Sequence, residues 1–430
     1  MPIRLNTDES GFAEAFDALL NNKRESSAKV GDVVANIISD VQKRGDDALI
    51  DLTSKFDGQN LTPATLRFSK QEIETAANNI SPQVRKALEI AYKRIYAHHE
   101  KQMPEDHIYK DALGVTLGTR WTAVEAVGIY VPGGLASYPS SVLMNAVPAT
   151  VAGVERVAMV VPTPNGEVNP AVLAAAHIAG VTEIYRVGGA QAVAALAFGT
   201  KTIAPVSKIV GPGNAYVAAA KRQVFGTVGI DMIAGPSEVL VIADKSANPA
   251  WVAADLLAQA EHGAGAQSIV VTPDADLANA IEAEVERQVA LLPRAKIARE
   301  GWDDFGAIIV CQNLDEAFAL SNRLAPEHLE LALDDAERYI DKVRNAGAIF
   351  LGHHTPEAIG DYIGGTNHVL PTARSARFAS GLGVLDFVKR TSILGCDAIT
   401  LAELADATVT LAETEDLAAH GRSVSIRLNR

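Results

Sequence analysis

From near residue 125 the chain alternates short runs rich in β-branched residues with longer alanine-rich stretches. The short runs have the length of single strands, whereas the alanine-rich stretches have a helical composition and length. The runs are 126–132, 156–162, 183–189, 208–213, 238–244 and 267–272, with further strands expected at 307–311 and 348–352. Helical stretches such as 170–180 and 190–199 separate most of them. This alternation predicts βαβ units around parallel sheets, and therefore an α/β fold.

The two ends of the chain have helical patterns of their own. One apolar face of a short N-terminal helix is formed by Phe12, Phe16, Leu19 and Leu20. A helix that short needs a surface to pack on. Residues 398–420 give a second helical stretch near the C-terminus. Both pieces look like attachments to a larger body, for which a partner subunit is one candidate.

Length and charge narrow the class of protein. A chain of 430 residues is too long for one ordinary core, so we expect two or more domains. Its 38 Lys and Arg against 52 Asp and Glu give a net charge of −14, which disfavours nucleic acid as a partner. Neither a secretory signal nor a membrane-spanning apolar run is apparent. Two cysteines cannot form a disulfide framework, which suits a reducing cytoplasm, and Cys311 is interpreted as a buried strand residue.

An acid and an imidazole, Glu327 and His328, stand side by side after Pro326. Proline and an acid would suit the first turn of a helix. However, leucines at every second position from Leu329 onward have the period of a half-buried strand. We therefore expect the pair on a loop that enters a strand, where two titratable groups are candidates for catalysis.

Two glycine-rich turns lead from predicted strands into predicted helices. They are V-G-G-A-Q at 187–191 and G-P-G-N-A-Y at 211–216. Such turns can offer backbone N–H groups to a phosphate or a dinucleotide, but each alone is more often an ordinary tight turn. Two of them at the ends of neighbouring strands favour a ligand site, because open α/β sheets bind ligands beyond the carboxyl ends of their strands.

Two segments in the second half of the chain carry polar residues that could form a site, and a third lies near the C-terminus. A helix is expected within 248–265, with Asn248 as its N-cap, so that Gln259 and His262 share a face. From spacing alone a hydrogen-bonded surface pair is a better interpretation of these two residues than a metal site. The loop 357–371 gathers Asp361, Asn367 and His368 around two glycines.

Near the C-terminus, Glu415 continues an apolar stripe and His420 follows five residues later. On one unbroken helix these two side chains would point about 140° apart. They could serve one site only if the helix ends between them, which the nearby Gly421 makes plausible.

These segments together resemble the signature blocks of the histidinol dehydrogenase family. The blocks, in order, are GIYVPGG, VGGAQAVAALAFGT, KIVGPGNAYV, IDMIAGPSEVLVIAD, LLAQAEHG, APEHLEL and GDYIGGTNHVLPT. The resemblance continues to EDLAAH at 415–420 and covers essentially the whole chain. Blocks of this length in this order are far more specific than any single short motif.

The resemblance implies a zinc-dependent, NAD-linked enzyme that oxidises L-histidinol through the aldehyde to L-histidine, using two NAD in turn. It implies two Rossmann-like parallel-sheet domains in an aldehyde-dehydrogenase-like arrangement. Expected segments are a helical arm (1–24), a main domain (25–129 and 239–382), a second domain with the NAD contacts (130–238) and a helical extension (383–430). It further suggests a homodimer in which Glu415 and His420 reach the partner's site.

The resemblance also assigns site residues by motif. One zinc per subunit would be held by Gln259, His262, Asp361 and His420. Substrate contacts fall on Ser237, Gln259, His262, His328, Asp361, Glu415 and His420, with His368 nearby. NAD contacts fall on Tyr130, Gln191 and Asn214.

The chemistry gives the Glu327 and His328 pair its expected roles. Alcohol oxidation needs a base for the hydroxyl proton, and imidazole titrates in the right range, so His328 is expected to be that base. Aldehyde oxidation needs an activated water, whose proton Glu327 is expected to take. Two rival interpretations are a related zinc and NAD dehydrogenase of another small alcohol, and a non-catalytic metal-binding or nucleotide-sensing protein that kept the fold.

Overall fold

A computed structural model describes residues 1–21, 30–133, 138–181, 183–233, 235–263 and 265–429 of the chain. The expected end of the N-terminal arm at residue 24 lies outside these ranges. Everything below refers to the described residues.

Every strand expected from the sequence is present. The described strands are β1 (Ile3–Asn6), β2 (His107–Lys110), β3 (Thr116–Ala123), β4 (Ala126–Tyr130), β5 (Arg156–Val160), β6 (Glu183–Tyr185), β7 (Lys208–Val210), β8 (Gly229–Ile230), β9 (Glu238–Ala243), β10 (Gln267–Thr272), β11 (Ala307–Val310), β12 (His328–Ala332), β13 (Ala348–Leu351) and β14 (Val388–Gly395). The sequence pattern did not reveal β1, β2, β3, β8 or β14.

Helices fill most of the segments between the strands. They are α1 (Phe12–Asn21), α2 (Val30–Arg44), α3 (Asp46–Asp57), α4 (Lys70–Asn79), α5 (Pro82–Glu100), α6 (Pro139–Val151), α7 (Pro170–Ile178), α8 (Gly189–Phe198), α9 (Ala215–Val224), α10 (Pro249–Ala260), α11 (Ala275–Val289), α12 (Ala295–Phe305), α13 (Leu314–Leu324), α14 (Glu357–Tyr362), α15 (Ala398–Thr414) and α16 (Ala418–Ser425). None of the described helices is both long and apolar enough to cross a membrane.

The larger sheet has six parallel strands in the order β1-β11-β10-β9-β12-β13. All residues of β9, β10 and β12 are buried, as expected for a parallel sheet covered by helices on both faces. The N-terminal helix α1 packs on this sheet through Phe16 and Leu19. The surface that orders the N-terminal segment is therefore part of the same chain.

The second sheet has five parallel strands in the order β6-β5-β4-β7-β8. Helices α6 to α9 connect its strands, and their alanine-rich sequences allow close packing against it. The presence of two parallel sheets confirms the predicted α/β class.

The domain boundaries that we expected stay a prediction, but the contacts show on which sheet the first segments pack. Strand β4 (126–130) lies in the second sheet, although most of it falls in the segment 25–129 assigned to the main domain. Helix α2 packs on α8 and α9, α4 packs on α7, and α5 packs on α6. Residues 30–100 therefore cover the second sheet rather than the main one. Sequence patterns identify a helix but do not show on which of two sheets it packs.

A third, antiparallel sheet in the order β14-β3-β2 joins the C-terminal segment to residues 107–123. Helix α15 follows it and ends at Thr414, with Glu415 as its C-cap. Asp416 then takes a left-handed conformation with φ of 56°, and α16 starts at Ala418. The helix thus ends between Glu415 and His420, as the spacing of these two residues required.

Candidate active site

A cavity of about 520 Å³ lies where the two parallel sheets face each other. From the second sheet it is lined by residues that follow the strands, among them Pro132, Pro212 and Gly213. From the main sheet it is lined by residues at the amino ends of β9 and β12, among them Ser237 and Glu327. The expected position beyond the carboxyl ends of the strands thus holds for the second sheet only.

His328 is the first residue of β12, and its side chain is almost completely buried. Its Nδ1 lies 2.9 Å from the carbonyl oxygen of Glu238. Because a carbonyl can only accept, Nδ1 carries the proton in the neutral ring and Nε2 is left unprotonated. Among the described residues Nε2 has no hydrogen-bond partner. Burial lowers the pKa of His328 to about 4, and the nearby Asp361 offsets this only in part. The ring is therefore a neutral base at the wall of the cavity.

Glu327 lies on the loop that enters β12, as the alternating leucines indicated. Helix α13 ends at Leu324 and Ala325 is left-handed, so the helix-start interpretation of this segment is wrong. A carboxylate oxygen of Glu327 accepts the backbone N–H of Glu238 at 2.9 Å and lies 3.8 Å from Nδ1 of His328. The peptide groups of Glu238 thus contact both members of the pair.

Gln259 and His262 lie at the end of α10, whose N-cap is Asn248 as predicted. Gln259 is fully buried, and neither atom of its amide has a hydrogen-bond partner among the described residues. The hydrogen-bonded surface pair that spacing favoured is therefore wrong. An unsatisfied buried polar atom costs about 1–3 kcal/mol, so this amide is suited to a bound ligand or ion.

Three side chains bring possible ligand atoms together, and one of them, His262, follows Gln259 by three residues. They are His262, Asp361 and Glu357, whose ligand atoms all lie within 4.8 Å of one another. One imidazole and two carboxylates form a donor set that suits Zn²⁺. The unsatisfied amide of Gln259 is a further possible ligand. The chemistry of these residues therefore fits a bound metal ion.

Glu357 is the site residue that sequence reasoning missed. It starts α14, is almost completely buried, and its Oε1 lies 3.7 Å from Nδ1 of His328. Burial raises its pKa well above the ordinary value, and the neighbouring carboxylates, led by Asp361, raise it further. The available signal was its spacing, because Glu357 and Asp361 are four residues apart and share one face of a helix.

His368 is held beside Asp361 and the cavity. Its Nδ1 donates to the carbonyl oxygen of Asp361 at 2.9 Å, and its Nε2 lies 3.2 Å from Oγ of Ser141. Burial lowers its pKa, so this ring is also neutral. Asn367 has a different role: it donates to the carbonyl oxygen of Met144 at 2.7 Å and is not among the residues that line the cavity.

The three expected NAD contacts lie at the end of a strand of the second sheet or at the start of a helix that follows one. Tyr130 ends β4, and its buried hydroxyl accepts the backbone N–H of Gly189 at 3.0 Å. Burial raises the pKa of Tyr130 to about 12, so the hydroxyl stays protonated. Gln191 is buried in the first turn of α8, and Asn214 is the N-cap of α9. The structure thus groups these three residues in one part of the second sheet.

Glu415 and His420 do not line the cavity, and both are exposed on the C-terminal helices. Ser237, His262, Glu327, His328, Asp361 and His368 do line it. Four further expected residues do not line the cavity itself: Gln259 in α10, and Tyr130, Gln191 and Asn214 of the second sheet and its helices.

Comparison with known proteins gives consistent matches. The family model described as histidinol dehydrogenase matches residues 20–428. A protein of Agrobacterium fabrum named histidinol dehydrogenase is 64% identical over 429 residues, covering 100% of this chain and 99% of that protein. A protein of Rhizobium meliloti with the same name is 62% identical, with the same coverage of both chains.

A solved structure matches as well. The crystal structure of histidinol dehydrogenase from Elizabethkingia anophelis superimposes with a TM-score of 0.95 at 38% identity. It covers 100% of this chain and 98% of the solved one. The likeness therefore extends over both parallel sheets and the C-terminal helices.

Proposed function

The chain belongs to the histidinol dehydrogenase family, enzymes that oxidise histidinol to histidine in histidine biosynthesis, and from this premise we propose how its cavity performs the reaction. In this proposal L-histidinol is oxidised through the aldehyde to L-histidine, with zinc in the cavity and two NAD used in turn. The observation that supports it is the neutral, buried His328, whose unprotonated Nε2 lies 3.9 Å from the carboxylate of Asp361 at the cavity wall.

His328 takes the proton of the substrate hydroxyl as the alcohol is oxidised. Its Nδ1–H bond to the carbonyl of Glu238 keeps Nε2 free to accept that proton. Because the ring is neutral, the base is in its active form at neutral pH. Glu327 accepts the proton of the water that adds to the aldehyde. The backbone N–H of Glu238 donates to the carboxylate of Glu327 and holds it in place for that step.

Gln259, His262 and Asp361 would hold the zinc, one ion per subunit, together with His420 of the partner subunit. The unsatisfied amide of Gln259 and the grouping of His262 with Asp361 support this assignment. Zinc, when bound, would orient the substrate and polarise the groups bound to it.

The substrate would lie between this metal site and the catalytic pair. The contacts we propose are Ser237, Gln259, His262, His328, Asp361, and Glu415 and His420 of the partner subunit. The first five lie on or beside the cavity wall. His368, which also lines the cavity, is a further candidate.

NAD would bind at the second sheet, against Tyr130, Gln191 and Asn214. Gly189 and Gly211 have φ angles of 66° and 109°, so the backbone at both turns adopts conformations that favour glycine. NAD, when bound, accepts the hydride of each oxidation.

A homodimer would complete each site. Glu415 and His420 are exposed on the C-terminal helices, and large apolar side chains are exposed beside them, among them Leu411, Leu417 and Ile426. Partly or fully exposed apolar residues in one segment support an interface.

We also propose a cytoplasmic location, which the two unpaired cysteines of the described chain fit.

The first experiment is to count the NADH formed per L-histidinol, with substrate limiting and NAD in excess, with and without a chelator. We expect two NADH per substrate, loss of activity on chelation and recovery with zinc. One NADH per substrate would contradict the four-electron reaction, and no turnover would favour another small alcohol as substrate. Activity that resists complete removal of metal would contradict the zinc assignment.

A further inference from the structure

A buried ion pair holds one glycine of the second sheet. Lys221 in α9 contacts the carboxylate of Asp231, which follows β8, and the two side chains are 2% and 1% exposed. The ammonium of Lys221 donates to the carbonyl oxygen of Gly211 at 2.9 Å. The carboxylate of Asp231 accepts the backbone N–H of Gly211 at 2.8 Å. Both polar backbone groups of Gly211 are therefore bound to this one ion pair.

The conformation at Gly211 admits no other residue without a shift. Its φ is 109°, and a Cβ added there would lie 2.2 Å from the carbonyl oxygen of Tyr130. The close approach packs the turn at 211–214 against the end of β4. Gly211 is thus fixed from two directions, by sterics at Tyr130 and by charge at Lys221 and Asp231.

Stability alone does not explain why two charges are buried here. Removing both charges from water is costly, and an apolar pair of similar volume is often at least as stable. What the charges supply is a fixed geometry for the backbone, since each binds one defined group of Gly211. The turn continues into Pro212 and Gly213, which line the cavity, and into Asn214 at the start of α9.

We propose that Lys221 and Asp231 are positioning residues that hold the 211–214 turn in the conformation that receives NAD. The inference rests on the proposed function, in which Asn214 contacts NAD. It adds two residues that act through the backbone of Gly211. Asp231 also lines the cavity, but its two carboxylate oxygens are engaged by Lys221 and by the N–H of Gly211, so its effect on the cofactor is exerted through the turn.

The same sheet offers a control ion pair at its other end, part-buried with side chains 24% and 20% exposed. Arg156 starts β5 and Glu183 starts β6, and their side chains form an ion pair at 3.0 Å. Arg156 also donates to the carbonyl oxygens of Ala204 and Pro205, both at 2.9 Å. Arg156 thus donates to backbone carbonyls as Lys221 does. This pair, however, lies at the amino ends of β5 and β6, away from the 211–214 turn.

The experiment compares the double variant Lys221→Met/Asp231→Leu with the control Arg156→Met/Glu183→Leu in the zinc-loaded enzyme. Removing both charges together avoids leaving one charge buried alone. For the first variant we expect the KM and the Kd for NAD to rise about tenfold to a hundredfold, because misplaced binding groups cost that much. We expect the KM for histidinol and the bound zinc to stay as in the wild type. The control should bind NAD as the wild type does, whatever its change in Tm.

The variant Lys221→Met/Asp231→Asn is the second test, should the Met/Leu variant not fold. It leaves no charge buried alone, keeps an acceptor for the N–H of Gly211, and should weaken NAD binding less than the Met/Leu variant does. Unchanged NAD binding in whichever of these variants folds would overturn the inference. Equal loss in the Arg156 and Glu183 control would overturn it too, since the effect would then be general. If the wild type itself binds no NAD, the proposed function fails instead.

Discussion

At the scale of single residues, the site depends on a protonation state set by one backbone carbonyl. Glu238 accepts from Nδ1 of His328, and burial disfavours the charged ring. The nearest carboxylate oxygens are 3.7 to 3.9 Å from the ring nitrogens of His328, so none is hydrogen-bonded to the ring. The backbone carbonyl alone therefore leaves Nε2 unprotonated and able to accept a proton. Asparagine at this position could keep part of the hydrogen bonding but could not take a proton.

His328→Asn should depress the oxidation of both histidinol and histidinal by about a hundredfold or more, the usual loss when a general base is removed. Steady-state kcat with each substrate is the measurement. His99→Asn is the matched control, because His99 is also buried and its Nδ1 lies 2.8 Å from the carbonyl oxygen of Ile95. Retention of normal rates in His328→Asn would exclude the residue as the base.

Glu327→Gln should slow the aldehyde step more than the alcohol step, because only the aldehyde step needs a deprotonated water. The two rates are measured separately with histidinol and histidinal. Glu330→Gln replaces another buried carboxyl of the same segment that does not line the cavity. An equal loss on both substrates in Glu327→Gln would refute the division of labour.

Stability should depend on pH through His328. Its pKa is about 4 in the folded chain against an ordinary 6.5, so between these values the unfolded chain binds the extra proton. Stability is therefore lost as the pH falls from 6.5 toward 4, by at most about 3 kcal/mol. Urea unfolding of the metal-free protein at pH 7 and pH 5 should show a smaller difference in His328→Asn than in the wild type. The same pH difference in both proteins would argue against the buried neutral ring.

At the scale of elements, helix α13 has to stop abruptly to deliver Glu327 and His328 to the cavity. It does so at Ala325, which is fully buried and has φ of 45°. A left-handed alanine costs about 1–2 kcal/mol relative to the usual helical conformation. The helix end before β12 is thus built on a strained residue, where glycine would be the common choice.

Ala325→Gly should be less destabilising than Ala317→Gly by about 1 kcal/mol, because glycine relieves the left-handed strain at 325 but only weakens the helix at 317. Both alanines are fully buried, so the loss of the methyl group is matched. Urea unfolding gives the two free energies. Equal destabilisation would show that the conformation of Ala325 is not strained.

The elements also show where the sequence is informative. Fully buried parallel strands such as β9 and β10 contain uninterrupted apolar runs, at 239–243 and 269–271, so their positions follow directly from the pattern. Strands β3 and β14 are only partly buried on an antiparallel sheet, and their mixed composition does not distinguish them from loops. The grouping of Glu357 with His262 and Asp361 depends on how α14 packs near α10, which no local pattern contains.

At the scale of the whole molecule, the residues of the site come from distant parts of the chain. Residues 259–262, 327–328 and 357–361 meet through the fold of one subunit, whereas Glu415 and His420 would arrive from another. The resemblance of the sequence to the family identified Glu415 and His420, whereas their spacing could not, because in the proposed dimer they contact the site of the other chain. Only the motif pattern carried that information.

Two inactive variants should therefore complement each other. A hybrid dimer of His328→Asn with His420→Asn has one site with both substitutions and one with neither. Random mixing of the two after unfolding and refolding together should recover about a quarter of wild-type activity, since half the dimers are hybrids with one intact site. Sedimentation of the mixture verifies that it is dimeric. A mixture as inactive as its parents would place all residues of a site in one chain.

The hydrogen bonds of Glu238 have a mechanical consequence. Its N–H holds the carboxylate of Glu327 and its carbonyl holds the imidazole of His328, so one residue at the start of β9 fixes both groups. Any displacement of that strand end shifts the two side chains together. In the proposed mechanism the alcohol and aldehyde steps thus share a single anchor, and a change in the backbone here cannot alter one step without disturbing the other.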